Sequence, residues 1–496
     1  MLRTRFLPLF AALLVVAAAS AQTAAPLPAP KIAQAYTASR HDQLTAQFEE
    51  FLRLPNVAAD PAGLRRNAAY LLQQLRAHGI PAVLLAAPEL PENVPPVVYG
   101  ELKVEGATRT IVFYAHYDGQ PVVASDWATP PFAPVVKEVE GEARVYARGA
   151  GDDKAAIFAQ LTALTALQAA NFPLKANLRF IWEGEEEAGS PHLEQILDEH
   201  RKLITGDVWL VCDGPIDQTR KQVILFGARG DAHLELTVYG PEHPLHSGHY
   251  GNWAPNPAMM LAQLLAGMKD AGGHVLIPHF YDGIAPLGTL EQSALAAAPV
   301  NDAMLRKEFA LGSSMGGGEH LLALLNQPSL EVTGVTAGKT GAQATNSIPS
   351  KATASIDLRL VVGEQARIQQ ERVVDYVRSQ GYFVTSSEPT VEERTTHPRV
   401  ARMVLDEGEA PLRTAMNLPI AQEVVKAVES ARGSVILLPT SGGTVPLDAM
   451  ERASGSPTLS IPIANHDDNQ HAANENLRMQ NLWDGIETMA ALMAMN

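Results

Sequence analysis

From residue 33 to about 225, short apolar runs alternate with segments whose apolar residues recur at helical spacing. Residues 67–78 (NAAYLLQQLRAH) predict a helix closed by Gly79. Residues 110–115 (TIVFYA) predict a buried strand, and residues 154–169, mostly Ala, Leu and Ile, predict a second helix. Two further apolar runs follow at 177–182 and 207–211. Strands separated by helices in this way imply an α/β fold: a mostly parallel sheet with helices on both faces. From about 227 to 399 the texture changes. Strand-like segments at 233–239 and 352–360 bracket Gly/Pro-rich loops and Ala/Leu-rich helices, which predicts a separate α+β unit. After 399 the first pattern returns, with a helix at 420–431, strands at 434–438 and 459–463, and a terminal helix. The simplest arrangement is one α/β domain, residues 22–225 and 400–496, interrupted by an inserted domain at 226–399.

The first residues have a different character. Arg3 and Arg5 precede an apolar run from 6 to 19, and Ala19-Ser20-Ala21 fits a small-residue cleavage pattern. Residues 1–21 therefore predict an export signal and a periplasmic or secreted protein, with no stable membrane span once the signal is removed. Composition narrows the chemistry. The chain has 496 residues, 46% hydrophobic and 19% charged, enough apolar material for a large core. Its net charge of −16 would repel phosphate backbones, so nucleic-acid binding is not expected. With Cys212 as the only cysteine, a metal site has to be built from His and carboxylates.

Such residues gather where an open α/β sheet binds its ligands, beyond the carboxyl ends of the strands. TIVFYA runs into His116-Tyr117-Asp118, and LRFIW into Glu183-Gly184-Glu185-Glu186-Glu187. DVWLV runs into Cys212-Asp213, and the run near Leu459 leads to His466-Asp467-Asp468 and His471. A hairpin ending at Gly149 leads to Asp152-Asp153-Lys154. Each cluster alone is explained by a turn, a cap or a solvated face. Their convergence on oxygen and nitrogen donors suits zinc or manganese, and a pair of such ions would activate water for hydrolysis.

The motifs AHYD, RGAGDDK, EGEEEAGS, VCDG, LHSGHYGN, VLIPHFYD, SIPSKATASIDLRLV and QHAANEN follow one another in an order that resembles the co-catalytic dizinc peptidases, peptidase family M-twenty. That family includes carnosine dipeptidases, glutamate carboxypeptidase, aminoacylase and succinyl-diaminopimelate desuccinylase. The resemblance implies two divalent metal ions, zinc with manganese as the alternative. It implies that Asp152 bridges them, that His116 and Asp213 hold one and that Glu187 and His471 hold the other. Glu186 would be the general base and Asp118 would orient His116. His246 would polarise the scissile carbonyl, and Arg359 would hold a substrate carboxylate. A cis peptide bond between Asp152 and Asp153 is also implied. Thr440-Ser441-Gly442-Gly443-Thr444 stands where dipeptidases often carry Arg-Glu-Gly-Gly-Ser, which makes Gly443 and Thr444 candidate substrate contacts. Glu185 receives no role. The inserted domain would act as a lid and pair two copies into a homodimer, with His246 of one reaching the site of the other. The expected activity is exopeptidase hydrolysis of dipeptides or C-terminal residues. The alternatives are deacylation of N-acyl amino acids on the same centre and, more remotely, a non-catalytic binding protein on this scaffold.

Overall fold

The computed structural model describes residues 27–496, so the predicted export signal at 1–21 lies outside the described residues. An eight-stranded sheet forms the centre of the molecule. Its order is Ala82–Leu85, Val97–Leu102, Asn177–Glu183, Thr110–His116, Val208–Val211, Thr458–Ser460, Val223–Leu225, Ile436–Leu438. The four middle strands, from Asn177–Glu183 to Thr458–Ser460, run parallel. The first two pairings are antiparallel, and Thr458–Ser460 meets Val223–Leu225 antiparallel, so the sheet is mixed with a parallel centre.

That centre is buried on both faces. Phe113, Phe180 and Trp182 point to one side, where Phe180 stacks 5.7 Å from Phe113 and meets Trp182 tilted at 5.8 Å. Tyr114, Ile181 and Trp209 fill the other side against Leu193, Ile196 and Leu197. The helix Lys154–Ala169 is buried almost all round and lies between the sheet and the terminal helix Met479–Met493. Small Ala side chains along it allow such close approach, which is why it reads as apolar on every face. Ala155 is fully buried there.

The second sheet has five strands in the order Ser329–Thr336, Lys351–Leu360, Gly230–Tyr239, Val400–Leu405, Phe383–Thr385. Its pairings are antiparallel except the last. Ala232, Leu234, Leu236 and Val238 alternate onto the buried face with Ala354, Ile356 and Leu358. The helices Pro257–Met268 and Ala366–Ser379 cover that face through Leu261, Leu264, Val373 and Val377. Asn256 starts the first of them by accepting the backbone N–H of Ala258 at 3.0 Å.

The sequence boundary at 399/400 shifts in space. Val400–Leu405 pairs with Gly230–Tyr239 and belongs to the second sheet. The chain returns only beyond it, through a two-residue ladder between Leu412–Arg413 and Gly227–Ala228. An alternating apolar strand reads alike whichever sheet receives it.

The aromatic stack at the sheet centre sets a measurable quantity. Phe180→Ala should cost about 3–5 kcal/mol, the usual range for emptying a buried aromatic site. Chemical denaturation should show a lower midpoint; an unchanged midpoint would mean the stack does not limit stability.

Candidate active site

The parallel centre brings the predicted clusters to one rim. Thr110–His116 ends in His116, Asn177–Glu183 leads to Glu186 and Glu187, and Val208–Val211 leads to Asp213. Asp152 arrives from beside the sheet. The hairpin Val135–Val139/Glu142–Tyr146 pairs with Asn476–Arg478, and the Gly149–Asp153 turn lies between that hairpin and the helix starting at Lys154. The loop after Thr458–Ser460 carries His471, whose φ is +62°. The Asp152–Asp153 peptide bond is cis.

Two donor groups share Asp152. One ligand atom each from His116, Asp152 and Asp213 lies within 4.8 Å of the others, as does one each from Asp152, Glu187 and His471. His116 Nε2 is 2.8 Å from Asp152 Oδ1, and His471 Nε2 is 3.2 Å from both Asp152 Oδ2 and Glu187 Oε2. His116 Nε2, Asp152 Oδ1 and Glu187 Oε1 are buried without a hydrogen-bond partner. Orphaned donor atoms facing one another among excess carboxylates are what a pair of cations would satisfy. The residues therefore fit a two-metal centre of nitrogen and oxygen ligands.

The electrostatics agree. Burial pushes the Glu187 carboxyl up to about 8, with Asp152 adding to it. Burial and then Asp152 raise Asp213 to about 6. Burial also holds Glu186 well above the usual carboxylate range, and Asp213, Asp152 and Glu187 push the same way. His116 is held well above its ordinary value in spite of its burial, by Asp118, Asp152 and Glu186. These shifts share one cause, carboxylates gathered around partly and fully buried groups.

Asp118 does more than face a ring. Its Oδ1 is 3.3 Å from His116 Nδ1, and its two oxygens accept the backbone N–H groups of Glu186 (3.2 Å) and Glu187 (3.0 Å). One carboxylate thus lies against the imidazole and holds the two-glutamate turn. Gly184 lets that turn approach: a Cβ there would lie 2.4 Å from the Tyr117 hydroxyl. Glu185 points away and holds His192 at 2.8 Å. Asp153, in the position of a helix cap, instead accepts the His116 backbone N–H at 3.2 Å.

Glu475 was not singled out from sequence. It is fully buried and accepts backbone N–H groups from Gly149 (3.1 Å), Gly151 (2.9 Å) and Asp152 (3.1 Å), while Arg148 pairs with it at 2.7 Å. Gln470 and Gln120 were missed as well; they donate to Asp152 Oδ2 (3.0 Å) and Glu187 Oε2 (2.7 Å). The QHAANEN motif contained Glu475, but nothing local distinguishes a buried Glu from a solvated one. Cys212 is buried beside Met489, with its thiol pushed up by burial, and is no nucleophile.

A cavity of about 670 Å³ opens over the donor groups, and Asp152, Glu186, Glu187, Asp213 and His471 line it. Arg359, Gly443 and Thr444 line it too. Arg359 donates to Thr444 Oγ1 at 2.8 Å and to Asp357 Oδ2 at 3.0 Å, so it is braced from two sides. His246 is not in this cavity. It sits exposed in the ladder Leu245–His246/Ser347–Ile348, its Nδ1 accepting the Gly248 N–H at 3.1 Å.

The pattern of "Peptidase family M20/M25/M40" matches residues 112–495. The chain belongs to this peptidase family. Within it, the chain is 28% identical over 455 residues to the Beta-Ala-His dipeptidase of Homo sapiens, covering 89% of this chain and 84% of that one. It is 25% identical over 474 residues to the Cys-Gly metallodipeptidase DUG1 of Candida albicans, covering 90% and 93%. Among solved structures, the M20 family metallo-carboxypeptidase Sso-CP2 from Sulfolobus solfataricus superposes with a TM-score of 0.78 at 26% identity, covering 91% of this chain and 98% of that one. Dug1p of Saccharomyces cerevisiae shares the fold with a TM-score of 0.77 at 24% identity, covering 94% and 98%. The chain is accordingly a metal-dependent hydrolase of this family.

Because Glu475 shapes the turn that presents Asp152, Glu475→Gln should weaken metal binding about 10–100-fold, as losses of such supporting groups do. Competition with a chelator measures it. Unchanged metal affinity in a folded Glu475→Gln protein would show that the turn holds its shape without the carboxylate.

Proposed function

We propose that this protein is an exported exopeptidase that hydrolyses the amide bond of dipeptides or releases C-terminal residues from short peptides. The observation that carries this reading is the Asp152 carboxylate shared by two donor groups beneath a cavity that also contains Arg359. His116, Asp152 and Asp213 would hold one divalent ion, and Asp152, Glu187 and His471 the other, as zinc or manganese. Two such ions, when bound, supply the acidity that makes water a nucleophile at neutral pH.

The chain's own groups do the rest. Glu186 belongs to neither donor group, yet its Oε2 lies 3.9 Å from His116 Nε2, with its backbone N–H held by Asp118. In this reading it would take a proton from the attacking water and pass it to the departing amine. Arg359 would orient the substrate's free carboxylate, with Gly443 and Thr444 forming the adjacent wall. The missing Arg-Glu pair in Thr440–Thr444 favours substrates that do not need a charged contact there.

Residues 226–399 would also pair two copies, His246 of one completing the oxyanion contacts of the other. Support comes from the free edge of Ser329–Thr336 and from exposed Trp253, Met259, Val332 and Val335 on this unit. Export rests on the basic-apolar-small pattern of residues 1–21, with a mature chain beginning near Gln22. No helix of the described residues is long and apolar enough to cross a membrane.

Glu186→Gln should lower turnover about 10²–10⁴-fold while metal content is kept. Assayed against a panel of dipeptides and N-acetyl amino acids, the wild-type chain should release amines from the dipeptides. Release from the N-acetyl compounds alone would establish the deacylase reading, and no release from either would establish a binding protein. Glu186→Ala and His246→Ala should each be nearly inactive. Unfolded and refolded together with metal, they should recover activity at roughly one quarter of all sites. No recovery in demonstrated heterodimers would place His246 outside the reaction.

A further inference from the structure

A second cavity, of about 660 Å³, lies on the other side of the short helix Leu321–Leu324. It shares Leu321 and Leu325 with the cleft over the metal ligands but contains none of those ligands. Its walls are largely apolar, with Leu305, Phe309, Leu311, Met315 and Leu324 among them. That volume is the size of a small-molecule pocket.

Its lining carries three cations, Arg229, Lys269 and Arg306, against four carboxylates, Asp270, Asp302, Glu319 and Glu331. Lys269 pairs with Glu331 and donates to the Leu330 carbonyl. Asp270 accepts the N–H groups of Gly272 (2.8 Å) and His274 (2.9 Å), and Asp302 accepts that of Leu321. Arg306 and Glu319 are of opposite sign and in contact with solvent. Arg229 differs. It is only 7% exposed, and among the described residues it pairs with no carboxylate. Nη2 donates to the Gln327 carbonyl (3.2 Å) and to Ser329 Oγ (2.7 Å). Nε is buried without a partner, and Nη1 makes no hydrogen bond. Burial and then Arg359 hold this guanidinium down at about 10 against the opposing pull of Asp357, Glu364 and Glu331, so it stays charged at neutral pH. A buried guanidinium with no carboxylate in ion-pair contact and a donor left over is costly unless something completes it.

We infer that this cavity binds a small carboxylate with an apolar body, its carboxylate on Arg229 and its body against the leucine and phenylalanine wall. One guanidinium balances one negative charge, which favours a carboxylate over a phosphate dianion. Free hydrophobic amino acids and N-acyl amino acids both carry this chemistry. The site does not depend on the peptidase reading, since it uses no residue assigned to hydrolysis.

The test is calorimetric titration of the full, metal-loaded chain with 3-phenylpropionate, with 3-phenylpropylamine as the cation of matched shape. The acid should bind and the amine should not. Arg229→Gln should weaken binding about 10–100-fold, the loss of a charge-assisted pair. Leu305→Trp, which fills the cavity, should weaken it similarly, and Arg359→Gln, which removes a neighbouring positive charge but no lining residue of this cavity, should not abolish it. If Arg229→Gln does not fold, as judged by circular dichroism, Leu305→Trp decides. Displacement of the bound acid by L-phenylalanine or by N-acetyl-L-phenylalanine identifies the source and supports the site; displacement by neither overturns it. Wild-type affinity in Leu305→Trp, or loss of binding in Arg359→Gln alone, also overturns it and places the acid in the metal-bearing cleft.

Discussion

Negative charge crowded into one buried spot governs this structure. Asp152, Glu186, Glu187 and Asp213 converge at the rim of the parallel strands, at the floor of the cleft, with the imidazoles of His116 and His471 beside them. In a low-dielectric site such a cluster is stable only if protons or cations neutralise it. The raised carboxyl pKa values of Glu187 and Asp213 express that demand. Two divalent ions would answer it and would supply the acidity for hydrolysis.

The surroundings show how the demand is kept from unfolding the site. Several of the converging residues are held by groups that lie behind them. Asp118 clamps the Glu186–Glu187 turn to His116, and Glu475 binds the Gly149–Asp152 turn through three backbone N–H groups. Lys154 donates to the carbonyls of Phe51 and Leu54, so the start of its helix is tied to the N-terminal helices. Hydrogen bonds of this sort position donors before any ion arrives, which reduces the cost of organising the site when one does.

Much of this was legible in the chain. The helix Lys154–Ala169 and the strand Thr110–His116 follow from apolar runs of the right length between turn residues. The clusters at strand ends were visible because a parallel sheet collects its carboxyl ends on one rim. What sequence did not show depends on tertiary context. Val400–Leu405 reads as a strand but not as a member of the second sheet, since its partner lies some 160 residues earlier. Glu475 is a buried anchor only because Arg148 and three N–H groups meet it there. His246 stands outside the cleft of its own chain, and no local pattern carries that information.

Metal stoichiometry tests the central claim most directly. Mass-spectrometric metal analysis of the purified chain should find two divalent ions per chain, and Asp152→Asn, which removes the shared charge, should lose both ions or retain one weakly. A wild-type chain saturating at a single ion, or an Asp152→Asn chain that keeps two with undiminished affinity, would contradict the account.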